Sequence, residues 1–156
     1  MDKGESNSPA AAFTGVADIL LVEDNPDDAQ LTIRALERCG IAHTVEHVTD
    51  GTEALEYLAS AGFRTREAAL PKFILLDLNL NKMGGLDVLR QLKSDKRTRR
   101  VPIIVLTASR SAIELVVSYE LGVNSLVVKP TDAEIFTEAV AAIGQYWLGV
   151  NELPPY

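Results

Sequence analysis

The chain is short of several things, and each shortage excludes something. Its 156 residues include one cysteine, Cys39, so no intramolecular disulfide can form. That excludes a disulfide scaffold and suits a reducing compartment. No apolar run reaches the roughly 18 residues a membrane-crossing helix needs, and no basic stretch leading into an apolar one opens the chain. The expectation is a cytoplasmic protein with no membrane partner. Positive charge is also scarce: 15 Lys and Arg against 22 Asp and Glu leave a formal net charge of −7. An acidic surface argues against nucleic acid as a partner and favours a cation or other proteins. Aromatic residues make up only 6% of the chain. There is no internal repeat.

What is present has the size and order of one domain. A chain of this length buries roughly 70% of its unfolded surface, enough for a real core. Residues 1–17 are small, polar and rich in Gly, Pro and Ser, and read as a flexible leader. The folded body is expected over residues 18–148. Residues 149–156, with Pro154-Pro155, form an irregular tail. With eight residues after Leu148, no output domain is expected to follow.

Within the body, apolar runs alternate with amphipathic stretches. The strand candidates are Ile19–Val22, Thr44–Val48, Phe73–Leu76, Ile103–Leu106 and Leu126–Val128. ILLV, FILL and IIVL are continuous apolar runs, as expected of parallel strands covered on both faces. The mixed TVEHV fits an edge strand. Pro26 after Asp24-Asn25 marks a helix start. So do the capping-box pairs Ser111/Glu114 and Thr131/Glu134. Apolar stripes follow: Ala29, Ile33, Leu36; Ala54, Leu55, Leu58; Leu86, Leu89, Leu92; and Ile135, Phe136, Ala139, Val140, Ile143, Trp147. Five βα units predict a doubly wound α/β fold: a five-stranded parallel sheet with helices on both faces.

Such a sheet places its ligands outside the carboxyl ends of the strands. There the chain carries Glu23-Asp24, Asp77, Thr107-Ala108 and Lys129-Pro130. Every strand but the presumed edge one thus ends in a reactive side chain. Three carboxylates brought together repel one another and call for a cation, and oxygen-only ligands suit Mg²⁺ or Mn²⁺. A metal, a hydroxyl and an ammonium together neutralise a phosphoryl group, and a carboxylate nucleophile yields an acyl phosphate.

This set, carried by ILLVEDNPDDAQLT, FILLDLNLNKMGGLDVL, VPIIVLTAS and LVVKP, resembles the CheY-like receiver domains of two-component response regulators over residues 18–148. The resemblance implies a flavodoxin-like strand order, 2-1-3-4-5. It implies that Asp77 accepts a phosphoryl group from a histidine kinase. It assigns Mg²⁺ to Asp24, Asp77, the backbone carbonyl of Asn79 and, through water, Glu23. Thr107 would bond the phosphoryl oxygens and shift on activation, Ala108 would leave room, and Lys129 would pair with the phosphate across a cis Lys129–Pro130 bond. Asn79 and Ser109 would tune water access.

The pattern has departures. Leu126 stands where the family carries an aromatic switch residue, so phosphorylation should be read through an association surface rather than a rotating ring. Asn81 and Gly84 replace a proline and an aspartate in the loop after Asp77, which should make it more flexible. A long connection around Ala61–Lys72 and the end of the last helix at Tyr146-Trp147-Leu148 resemble the stand-alone regulators paired with bacterial and cyanobacterial phytochrome kinases. That subgroup implies a phytochrome kinase partner and a homodimer through the fourth and fifth helices and the C-terminal region. Trp147 has two readings, closing the core or forming the dimer surface, and the second is favoured.

Other functions fit less well. A haloacid-dehalogenase-type phosphatase requires D-x-D-x-T, and Asp77-Leu78-Asn79-Leu80-Asn81 lacks the second acid. An unphosphorylated pseudo-receiver conflicts with the intact acidic set. A flavodoxin relative would need a phosphate-cradling loop where Glu23-Asp24 stand. The basic run Lys93–Arg100 reads as a solvated loop, His43 and His47 as exposed edge-strand residues, and Cys39 as a packed small hydrophobe.

Overall fold

A computed structural model describes residues 16–64 and 70–155; residues 1–15 of the expected leader, 65–69 and 156 lie outside the description. The order is β1 (Ile19–Val22), α1 (Pro26–Glu37), β2 (Val45–Val48), α2 (Gly51–Arg64), β3 (Phe73–Leu76), α3 (Gly85–Ser94), β4 (Ile103–Thr107), α4 (Ala112–Glu120), β5 (Ser125–Val128) and α5 (Ala133–Gly144). A π-helical turn, Gln145–Val150, extends α5. The strands form one parallel sheet in the order β2-β1-β3-β4-β5. That is the expected doubly wound topology, with the mixed strand β2 at an edge.

The central strands are apolar throughout because successive side chains supply two cores. Leu20, Val22, Ile74, Leu76, Ile103 and Val105 face one cluster, with Ala54 and Leu58 of α2 and Val88, Leu89 and Leu92 of α3. Ile19, Leu21, Phe73, Leu75, Ile104 and Leu106 face the other, with Ala29, Ala35 and Leu36 of α1 and Phe136, Val140 and Ile143 of α5. Each such side chain contributes about 1.5–3 kcal/mol on burial. Ile135 is the exception in the expected α5 stripe: it is 56% exposed. Trp147 and Leu148 pack against the second cluster, so Trp147 serves the core. Cys39 is buried as expected.

Several local expectations are corrected. α5 is capped by Asp132, not Thr131: its carboxylate accepts from the N–H groups of Glu134 and Ile135 at 2.9 and 3.0 Å. A carboxylate takes both bonds and also favours the positive end of the helix. α2 continues to Arg64, so the connection expected from Ala61 starts later. No peptide bond among the described residues is cis, and Lys129–Pro130 is therefore trans. The trans form is intrinsically favoured even before proline, and with it Lys129 still reaches the acidic residues. Of the run Lys93–Arg100, Ser94–Lys96, Arg99 and Arg100 are exposed as expected, but Lys93 is half-buried. Its ammonium donates to the carbonyls of Arg99 and Val101 and to Asn124 Oδ1 at 3.0–3.4 Å, and burial lowers its pKa.

One close approach connects this packing to the site. Gly85 opens α3 directly over the end of β3, and its N–H donates to Leu78 O at 3.1 Å. A Cβ at Gly85 would stand 2.4 Å from Asp77 O and from Leu78 Cα, backbone atoms that cannot step aside. The neighbouring Gly84 has open space: its nearest contact would be Asp87 Oδ2 at 3.8 Å. Gly85→Ala is expected to lose about 1–3 kcal/mol through overpacking, and Gly84→Ala less than about 1 kcal/mol. Urea denaturation of both variants checks this, and equal losses would refute the close approach as the cause.

Candidate functional site

The site lies at the carboxyl end of the sheet, where β1, β3, β4 and β5 end side by side. Strand pairing sets Val22 beside Leu76, so the residues that follow, Glu23 and Asp77, emerge together. Asp77 N–H donates to Val22 O at 3.1 Å, which extends the ladder one step into the site. Glu23, Asp77 and Thr107 are all buried. Carboxylate oxygens of Glu23, Asp24 and Asp77 lie within 4.8 Å of one another.

The Lys129 ammonium sits among the acids. It bonds Glu23 Oε1 at 2.7 Å, Asp77 Oδ2 at 3.1 Å and Asp28 Oδ2 at 3.4 Å. Three further carboxylate oxygens are held by backbone N–H groups. Asn25 donates to Glu23 Oε2 at 3.1 Å, Asn79 to Asp77 Oδ1 at 2.9 Å and Asn81 to Asp24 Oδ2 at 3.1 Å. The last bond revises an expectation. A proline at position 81 would have no N–H, so Asn81 ties the loop to Asp24 where greater flexibility was expected.

One ammonium does not balance this much negative charge. Burial pushes the Glu23 carboxyl up to about 7; the Lys129 hydrogen bond opposes that rise and the charge of Asp77 adds to it. For Lys129, burial works toward a lower pKa, but the Glu23 hydrogen bond and the Asp77 charge outweigh it and the net shift is upward. The ammonium is therefore firmly charged, while the acids retain a need for further positive charge. The donor set fits a hard divalent cation: three carboxylates, oxygen only, with no sulfur or imidazole.

Thr107 closes the pocket on the β4 side. Its Oγ1 accepts from Ser109 N–H at 3.2 Å, which leaves the hydroxyl proton free to donate. Ser109 Oγ donates in turn to Glu114 Oε1 at the start of α4 and accepts from Ser111 N–H at 3.2 Å. Beside this loop lies a cavity of about 180 Å³, whose walls include Leu78, Thr107, Leu115, Leu126 and Val128. Leu126 is thus one wall of this cavity.

Glu23, Asp24, Asp77, Thr107 and Lys129 were expected at the sheet edge, and the fold brings them there. Asn79 contributes its N–H to Asp77, while its side chain is exposed. Asp28 was not anticipated. It lies in the first turn of α1, where an acid reads as a helix-start residue, and only the path of α1 toward β5 brings it to Lys129. Nor are the histidines a pair of exposed edge residues. His43 bonds Ile41 O and His47 bonds Glu23 O, each at 2.8 Å, and both are half-buried.

Residues 19–141 match the family described as the response regulator receiver domain. Among curated proteins, the chain is 44% identical to the probable methanogenesis regulatory protein FilR2 of Methanothrix harundinacea, covering 87% of this chain and 86% of that one. It is 35% identical to the response regulator Rcp1 of Synechocystis, covering 96% and 97%. The crystal structure of the Mn²⁺-bound form of Rcp1 superposes with a TM-score of 0.79, covering 88% of this chain and 98% of that one. The phosphorylated cyanobacterial phytochrome response regulator RcpA superposes with a TM-score of 0.80 at 39% identity, covering 88% and 97%. With most of its length matched and its strand order the same, the chain belongs to the response regulator receiver domain family.

Proposed function

We propose that this receiver unit, residues 18–148, accepts a phosphoryl group on Asp77 from a histidine kinase and signals through protein contacts rather than by turnover of an outside substrate. The observation that carries the reading is the placement of Asp77: buried beside two other carboxylates, with Lys129 on one oxygen and the Asn79 N–H on the other. An Asp77 oxygen attacks phosphorus, a P–O bond forms, the P–N bond to the donor imidazole breaks, and the nitrogen keeps the electron pair. Lys129 and the free Thr107 proton stabilise charge on the phosphoryl oxygens.

Glu23, Asp24, Asp77 and the carbonyl of Asn79 would hold Mg²⁺ or Mn²⁺. The ion would supply positive charge against the transferring oxygens. Resemblance to RcpA and Rcp1 makes a phytochrome-type kinase the donor to test first. Acetyl phosphate or such a kinase, with Mg²⁺, is expected to add one phosphoryl group, and Asp77→Asn to abolish the addition. Intact-mass spectrometry decides it, and label persisting in Asp77→Asn refutes the assignment.

Lys129 gives a second test. In metal-free protein, Lys129→Met leaves the buried acids without their counter-charge and is expected to cost about 3 kcal/mol. Millimolar Mg²⁺ should return a large part of that loss in urea unfolding. No response to Mg²⁺ would count against a metal pocket.

The α4 surface supports the reading that the chain forms a homodimer through α4, α5 and the C-terminal region. Ile113, Val116 and Tyr119 are 76%, 54% and 53% exposed, and Ile135 and Val150 add exposed apolar surface. Apolar exposure on this scale marks an association surface. Light scattering should find a dimer that Ile113→Asp with Val116→Asp converts to a monomer. An unmodified protein that is already monomeric at high concentration would refute it.

A further inference from the structure

Glu23 and Asp24 present a geometric difficulty. Neighbouring residues on an extended chain point their side chains to opposite faces, yet both carboxylates enter one pocket. The backbone must turn between them, and the variable that sets the turn is the plane of the Glu23–Asp24 peptide. A peptide is rigid, so fixing its carbonyl fixes the plane. That carbonyl, Glu23 O, lies just past the last paired residues of β1 and β2, Val22 and Val48. It accepts a hydrogen bond from His47 Nε2 at 2.8 Å. A carbonyl can only accept, so Nε2 carries the proton and donates.

We propose that His47 is a positioning residue: through the Glu23 carbonyl it sets the peptide plane from which Glu23 and Asp24 project into the acidic pocket. The neighbouring bonds agree. Glu23 N–H donates to Val48 O at 3.1 Å, so β2 holds Glu23 at both its amide and its carbonyl. With Lys129 on Oε1 and Asn25 N–H on Oε2, every polar group of Glu23 is engaged. β2 ends in no reactive side chain of its own. It serves the site sideways, from within the strand, through an imidazole aimed at its neighbour's backbone. The consequence for cation binding rests on the metal reading proposed above; the consequence for the turn does not.

Two variants separate the donor from the bulk. His47→Phe keeps a ring and removes the donor; His47→Gln keeps an N–H of similar reach. By calorimetry with Mn²⁺, His47→Phe is expected to bind about three- to tenfold more weakly, the fold-change that one lost hydrogen bond produces. His47→Gln should stay within about twofold of the unmodified protein. In metal-free protein, exchange of the Asn25 amide, which reports the Glu23 carboxylate, should quicken in His47→Phe and not in His47→Gln. Urea midpoints check that both remain folded, and His47→Ala replaces the Phe variant if that one does not fold. Mn²⁺ binding and amide exchange unchanged in His47→Phe, or altered equally in both variants, overturn the proposal. If the unmodified protein takes up no Mn²⁺, the metal reading falls, and the amide exchange alone then supports or overturns the role of His47.

Discussion

Bringing Glu23, Asp24 and Asp77 to the ends of adjacent strands costs electrostatic work, because parallel pairing forces β1 and β3 to deliver their acids at the same height. Desolvation adds to the cost, since Glu23 and Asp77 are buried. Lys129 offsets part of it by placing one ammonium within 2.7–3.4 Å of three carboxylates. Backbone N–H groups of Asn25, Asn79 and Asn81 supply more. The turns after β1 and β3 are therefore shaped by the acids as much as by chain connectivity. The residual negative charge is what the site has to offer a cation, and Lys129 and Thr107 are what it has to offer an anion.

Legibility in the sequence followed the physics of each element. ILLV, FILL and IIVL were readable because strands buried on both faces leave no polar alternation. β5 reads less clearly at its start because it is an edge strand and half-exposed along its length. The strand-end acids and Lys129 could be placed because they follow apolar runs at once. Asp28 could not, since its position at Lys129 depends on how α1 crosses the sheet. His47 escaped for a different reason: its partner is a backbone carbonyl, and such a partner leaves no residue-type signature. The Asp132 cap was missed because Thr131 offered a complete local motif, and the choice between two adjacent caps rests on which side chain reaches two N–H groups.

The departure at Leu126 acquires meaning from α4. Helices α1, α3 and α5 each bury three or more residues, whereas α4 buries one, Ser118, whose hydroxyl has no hydrogen-bond partner among the described residues. A helix held by so little apolar burial is the cheapest of these to displace. Its first turn is joined to Thr107 by hydrogen bonds through Ser109 and Glu114, and the cavity beside Leu126 lies next to that junction. Leu126 lines that cavity, and the hydrogen-bonded path from Thr107 to α4 runs beside it. The exposed face of the same helix holds Ile113, Val116 and Tyr119. Thr107 at the acidic pocket and the exposed apolar face of α4 are thus two ends of one short, loosely packed segment, so a displacement at Thr107 has no well-packed core to cross before it reaches that face.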